Sequence, residues 1–167
     1  MKDLETRIRL WLIFFIGALL ISGITAFPLI WEVNVLHQAF GSASALGACL
    51  PPLAAWIDHV QAGLNDAQAR YPFLFYGTDW LAFAHIVIAI AFVGPLRDPV
   101  RNIWVVEFGL IACVLILPLA LICGPLRGIP FFWQIVDCSF GVFGSVPLLL
   151  VRRDIVRLAA SRTAPGW

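Results

Sequence analysis

Four long apolar segments constrain this chain more than any other feature. They cover residues 10–30, 80–96, 103–123 and 131–151, and each is close to the ~20 residues that a helix needs to cross a ~30 Å hydrocarbon core. Only 13% of the residues are charged, whereas a soluble domain averages about 25%. The sequence therefore predicts an all-α polytopic membrane protein, a four-transmembrane-helix bundle that forms one integral membrane domain.

Tryptophan and basic residues give these segments ends and an orientation. Five of the seven tryptophans stand at segment ends, as an interfacial aromatic belt requires: Trp11, Trp31, Trp80, Trp104 and Trp133. Of the eleven Lys and Arg residues, all but Arg70 and Arg127 fall on the side that holds the N-terminus, the 97–102 turn and the tail 152–167. The positive-inside rule therefore predicts two cytoplasmic termini in a plasma or inner membrane. The net charge of +1 favours no nucleic-acid partner.

The outer segment, residues 31–79, is the longest stretch predicted outside the bilayer. It contains a short helical pattern over 32–40 and then a second helix that starts at Pro51, since proline is tolerated in a first helical turn. The second helix carries an apolar stripe of Leu53, Trp56, Ile57, Val60 and Leu64. We expect an amphipathic helix that lies along the membrane interface or covers the bundle. The alternative is that it packs against the short helix before it.

The fourth apolar segment carries a stripe of polar and small residues. Its members fall at i, i+3, i+4, i+7 and i+11, on one side of a helix: Gln134, Asp137, Cys138, Gly141 and Ser145. Such a stripe is typical of a helix face that contacts protein rather than lipid. Asp137 is a site candidate, because an acid left in hydrocarbon costs several kcal/mol.

The second segment carries a histidine at a comparable depth. His85 lies about 8 Å beyond Trp80, and Asp137 lies about 9 Å beyond Phe131, at the helical rise of ~1.5 Å per residue. Because both segments run inward from the outer side, His85 and Asp137 are predicted to pair if the two helices touch. The predicted ligand-binding set is Asp79, His85, Gln134, Asp137 and Cys138, with His85 and Asp137 as the catalytic candidates.

Three interpretations of this pair stay open. It is a buried hydrogen-bonded pair that fixes helix register, a ligand-binding or catalytic cluster, or a site where His85 is an axial ligand of haem or a chlorin. The cofactor is therefore unknown. The four cysteines form no C-x-x-C motif, so no metal site is predicted. A disulfide between Cys49 and Cys123 on the outer side remains a hypothesis.

Several structural expectations accompany these predictions. Ala18, Ser22 and Ala26 form small-xxx-small steps that suit close helix packing. Glu107 is expected to form an ion pair with one of Arg97, Arg101 and Arg152, and Pro118 is expected to kink its helix. The basic tail 152–167 is expected to anchor the topology at anionic lipid.

Three function classes fit this sequence. The first is a membrane protein that binds a small apolar or amphiphilic ligand in an outward-facing polar pocket. The second is an accessory subunit of a larger membrane complex or a homo-oligomer. The third is a membrane enzyme that uses the Asp–His pair for acid–base chemistry on a lipid-soluble substrate. In all three, the lipid bilayer is a partner.

Overall fold

The computed structural model describes residues 2–163, which form helices and turns without a β-strand. In chain order the α-helices are α1 (Lys2–Ala26), α2 (Leu29–Phe40), α3 (Ala45–Cys49), α4 (Pro51–Arg70), α5 (Tyr76–Ala91), α6 (Val93–Arg97), α7 (Ile103–Pro118), α8 (Gly124–Leu126) and α9 (Phe131–Thr163). A 3-10 turn over Pro72–Phe75 precedes α5, and a π-helical turn over Leu119–Cys123 follows α7.

Within the described residues, four helical stretches are long and apolar enough to cross a membrane: Asp3–Ala26, Pro72–Arg97, Ile103–Leu126 and Phe131–Arg162. Each predicted segment falls on one of them, although the bounds differ. The first stretch ends at Ala26 rather than at residue 30, because Pro28 has no N–H with which to continue the helical ladder. The second begins at Pro72 rather than at Trp80, since the 3-10 turn joins directly to α5.

The chain divides into two compact units, which we describe separately. The terminal unit combines the residues up to Leu19 with the chain from Ile88 onward. The central unit holds Leu20–Val87.

The core of the terminal unit brings α1, α7 and α9 together. Its fully buried side chains are Ile8, Leu12, Phe92, Val106, Leu148, Val151 and Leu158. Helices α7 and α9 approach closely at glycines: a Cβ added at Gly141 would lie 2.5 Å from the carbonyl oxygen of Cys113. Small residues at such contacts let two helix backbones pack without a gap. The predicted stripe on the fourth segment thus contacts protein, whereas Phe140 and Phe143 on the same helix are exposed.

The basic tail continues helix α9 and takes part in this core. Ile155 and Leu158 are buried in the same cluster as Ile8 and Leu12 of α1. Asp154 is also fully buried, and Nη2 of Arg7 donates to its two carboxylate oxygens at 2.8 and 2.6 Å. The prediction of a tail that only anchors the chain to lipid missed this packing.

Two other expectations for the terminal unit can be compared with the structure. Glu107 pairs with Arg152 at 3.0 Å, which confirms the predicted ion pair. Pro118 ends α7 and is followed by the π-helical turn, since proline cannot donate the backbone hydrogen bond of a regular helix.

In the central unit, α4 packs against α2. Ala54 and Ile57 of α4 are buried, and Oδ1 of Asn34 on α2 accepts hydrogen bonds from Nε2 of Gln61 at 3.0 Å and Nδ2 of Asn65 at 3.2 Å. This is the alternative arrangement that the sequence left open for the amphipathic helix. A position of α4 along the membrane interface stays a prediction.

A carboxylate secures the loop that follows α2. The backbone N–H of Ser42 donates to Asp58 at 3.2 Å, and Nε2 of His37 lies 3.1 Å from the same oxygen. Hydrogen bonding from Ser42, followed by the charge and hydrogen bond of His37, lowers the pKa of the Asp58 carboxyl below its ordinary value of 3.8.

Helix α1 meets α5 at one glycine. A Cβ added at Gly23 would lie 2.9 Å from the carbonyl oxygen of Ala82 and 3.0 Å from Cβ of His85. Ala18 and Ser22 are exposed instead. The small-xxx-small face predicted from Ala18, Ser22 and Ala26 is therefore wrong, because glycine allows a closer approach than either of those residues.

Candidate functional site

A cavity of about 430 Å³ opens in the central unit where three pieces of chain meet. These are the corner between α1 and α2, the C-terminal end of α4, and the 3-10 turn with the start of α5. Prolines shape both corners: Pro28 separates α1 from α2, and Pro72 starts the 3-10 turn after α4. The lining residues are Phe27, Pro28, Leu29, Ile30, Trp31, Gln68, Pro72, Phe75, Tyr76 and Asp79.

Asp79 is the only Asp, Glu, Lys, Arg or His residue in this lining. It is half-buried and lies in the first turn of α5, where a carboxylate also favours the helix dipole. Among the described residues, its carboxylate has no hydrogen-bond or ion-pair partner. The cavity therefore combines apolar and aromatic walls with one carboxylate and one amide, that of Gln68, which is the usual composition of a small-molecule site.

A second cavity, of about 280 Å³, continues along α5. It shares Phe27, Tyr76 and Asp79 with the first cavity and adds Trp80 and Phe83. The rings of Tyr76 and Trp80 lie 6.0 Å apart at 78°, and those of Trp80 and Phe83 lie 5.8 Å apart at 89°, so the three form an edge-to-face series on one side of the helix. Asp79 therefore lines both cavities.

His85 lies farther along α5 and is half-buried. Its Nδ1 is 2.8 Å from the carbonyl oxygen of Leu81. Because a carbonyl oxygen only accepts hydrogen bonds, Nδ1 is the donor in this contact, and in that tautomer Nε2 is the acceptor. That nitrogen could take part in proton transfer or metal ligation.

The other three predicted site residues belong to the terminal unit. Gln134 is only 4% exposed, and its Nε2 donates to the carbonyl oxygen of Ile129 at 2.8 Å, so this side chain secures the turn before α9. Gly128 has a φ of 70° in that turn, a conformation that glycine adopts without strain. Asp137 and Cys138 are half-buried, and the described residues of the terminal unit include no hydrogen-bond partner for the Asp137 carboxylate.

The structure therefore gathers the predicted set into two groups. Asp79 and His85 lie in the central unit, and Gln134, Asp137 and Cys138 lie in the terminal unit. The pairing of His85 with Asp137 stays a prediction. The depth count behind it, which starts from a bilayer boundary at Trp80, stays a prediction too, although the helical stretch that carries His85 begins at Pro72.

The structure also bears on the metal and cysteine hypotheses. Within residues 2–163, no group of three or more His, Cys, Asp or Glu side chains is arranged to hold a metal ion. All four cysteines are free thiols, so the hypothesis of a disulfide between Cys49 and Cys123 finds no support.

Most of the cavity lining was not anticipated from the sequence. Phe27 and Trp31 are far along the chain from Gln68 and Pro72, and only the corners of the fold bring the two pairs together. A local signal did exist: each corner is a proline flanked by aromatic residues, in AFPLIW and in YPFLFYG. The chain between the two corners consists of α2, α3 and α4, and the packing of α4 against α2 brings the corners to one aromatic wall.

Comparisons with known proteins add no relative. No family model, no curated protein and no solved structure matches this chain. The chemistry of its own residues is therefore the basis for assigning a function.

Proposed function

We propose that this chain is a small integral membrane protein that binds an amphiphilic ligand in the cavity around Asp79. The observation that carries the proposal is a half-buried carboxylate without a partner among the described residues, set in aromatic and apolar walls. A volume of about 430 Å³ falls within the roughly 300–1,000 Å³ of typical ligand sites. An amphiphile fits because the adjoining cavity continues along the Trp80–Phe83 side of α5.

The proposed membrane topology gives this cavity access to such a ligand. We propose four membrane crossings with both termini in the cytoplasm, following the excess of Lys and Arg on that side. The corners at Phe27–Pro28 and at Pro72 then lie at the outer interface. Trp31, Tyr76 and Trp80 are each more than half exposed, as suits aromatic side chains at the headgroup level of a bilayer. Ligand would enter from the outer leaflet.

Quenching by a brominated amphiphile tests the proposal. In dodecyl maltoside micelles, 12-bromododecanol should quench tryptophan fluorescence in a saturable manner, because Trp31 and Trp80 line the two cavities. Trp31→Phe should remove part of the saturable component. The matched control is Trp56→Phe, since Trp56 of α4 lies outside both linings. Quenching that rises linearly without saturation, or that is equal in both variants, would reject the cavity as a binding site.

A second candidate function is proton-transfer catalysis on a lipid-soluble substrate by Asp137 and His85. It is favoured by the half-buried Asp137, which lacks a hydrogen-bond partner within its unit, and by the acceptor Nε2 of His85. Asp137→Asn and His85→Ala should then abolish turnover while leaving the helical content unchanged. Equal loss of folded protein in the two variants would favour a structural role for these residues.

A further inference from the structure

We infer that the ligand of the Asp79 cavity carries a quaternary ammonium head group. The inference rests on the proposed binding function and narrows it to one class of amphiphile. Three features of the cavity lead to it: its charge, the chemistry of its walls and the shape of the adjoining space.

The charge of the cavity selects a cationic head. Asp79 is the only charged side chain among the lining residues, and it has no partner among the described residues. The carboxylate would attract a cationic head and repel an anionic one. Arg70, the nearest Lys or Arg in the sequence, pairs instead with Asp66 at 2.8 Å.

The walls favour a quaternary rather than a primary ammonium group. A primary ammonium has three N–H donors that require acceptors, and the side chains of the lining supply oxygen acceptors mainly at Asp79 and Gln68. Four aromatic residues also line the first cavity: Phe27, Trp31, Phe75 and Tyr76. Aromatic walls with one carboxylate are the recognised way to bind a cation that has no N–H, through cation–π attraction.

The adjoining cavity suits the tail of the same molecule. It is lined by Phe27, Tyr76, Trp80 and Phe83 in addition to Asp79, and it follows the edge-to-face ring series along α5. Because Asp79 lines both cavities, a head held beside it leaves an alkyl chain free to lie along the second cavity. The head and the tail thus each have a matching environment.

Binding of four probes with a ten-carbon tail and one probe without a tail to the purified chain tests the inference. Isothermal titration calorimetry in dodecyl maltoside would compare decyltrimethylammonium with decylammonium, decyl sulfate, decanol and tetramethylammonium. We expect decyltrimethylammonium to bind about tenfold more tightly than decanol, with decylammonium, decyl sulfate and tetramethylammonium weaker than decyltrimethylammonium. Asp79→Asn should remove that preference, so that decyltrimethylammonium and decanol bind with similar affinity.

Two matched variants and one further probe complete the design. Asp79→Glu keeps the charge and should retain a preference for the ammonium probe, and circular dichroism should show equal helicity in all variants. Asp66→Asn removes an exposed carboxylate outside the cavity and should behave as wild type. Decylphosphocholine distinguishes the source of the head group. Binding as tight as that of decyltrimethylammonium points to a lipid headgroup, and weaker binding points to a free quaternary amine. Either result supports the quaternary ammonium assignment.

Two results would overturn the inference while leaving the proposed function standing. One is equal binding of decanol and decyltrimethylammonium, and the other is a preference for decyltrimethylammonium that survives in Asp79→Asn. Tighter binding of decylammonium would overturn the quaternary assignment alone. Failure of every probe to bind would overturn the proposed function and this inference together.

Discussion

Removal of Arg7 should cost far more stability than the charge it carries would suggest. The Arg7 side chain is 48% exposed, whereas the carboxylate of its partner Asp154 is 0% exposed. Among the described residues, truncation to Arg7→Ala would leave that buried carboxylate with Arg153 as its ion-pair partner, whose Nε lies 3.7 Å away. Removing the Arg7 side chain should therefore cost more stability than neutralising the Asp154 carboxylate.

The fractional exposure of the paired side chains ranks the expected losses of stability. Breaking a buried ion pair by removing one partner costs about 3–5 kcal/mol, and Arg7→Ala should fall toward the lower end because Arg153 partly replaces the lost charge. Asp154→Asn should cost about 1–2 kcal/mol, because the amide keeps an acceptor and the half-exposed Arg7 can turn to water. The control Arg152→Ala breaks an exposed pair with Glu107, which should cost at most about 1 kcal/mol.

Unfolding in mixed micelles measures these differences. Helicity followed by circular dichroism, as the SDS fraction in dodecyl maltoside rises, gives the unfolding midpoint of each variant. The double variant Arg7→Met with Asp154→Leu should recover most of the stability lost in Arg7→Ala, since it leaves no buried charge. Equal destabilisation by Arg7→Ala and Asp154→Asn, or a double variant no better than Arg7→Ala, would refute the reasoning.

Three further predictions address helix contact, pH and the proposed pair. Gly141→Ala should destabilise the chain by about 1–3 kcal/mol in the same assay. The control Gly17→Ala should be neutral or stabilising, because a Cβ added there meets nothing within 4 Å. Equal effects of the two substitutions would contradict the close contact at Gly141. Because the pKa of Asp58 is lowered on folding, its carboxylate stabilises the folded chain fully above pH 3.8, and this stabilisation is lost as the pH falls through the lower folded pKa. Hydrogen exchange in α2 should show this loss in wild type and not in Asp58→Asn. A double-mutant cycle of His85→Ala and Asp137→Asn should show coupling above about 1 kcal/mol if the pair forms, and additivity within about 0.5 kcal/mol if it does not.

The sequence predicted the parts of the fold that depend on long local patterns. Apolar length identified four helical segments, and the polar stripe on the fourth gave the side of α9 that contacts protein. Boundaries were less accurate, because Pro28 and Pro72 act through backbone geometry that hydropathy does not register. The ion pair of Glu107 with Arg152 followed from charge near the ends of two segments.

What the sequence did not reveal depends on contacts between distant residues. Asp154 stands in the run RRDIVR, which is typical of a solvated tail, yet the apolar spacing of Leu148, Val151, Ile155 and Leu158 continues through it at helical intervals. That spacing was the signal that α9 extends into the core. The Asp79 cavity forms only where the two proline corners come together in the fold. Of its lining residues, only Asp79 was among the predicted site residues.

Native mass spectrometry of the chain released from membranes in mild detergent tests the binding site most directly. The account predicts one small amphiphile per chain in wild type, retained in the surface control Val35→Trp on α2 and lost in Ile30→Trp, which fills the cavity. Collision-induced release should then yield a single ammonium-bearing species. A chain that carries no ligand, or one that keeps its ligand equally in Ile30→Trp, would contradict the proposal that this cavity is where the protein acts.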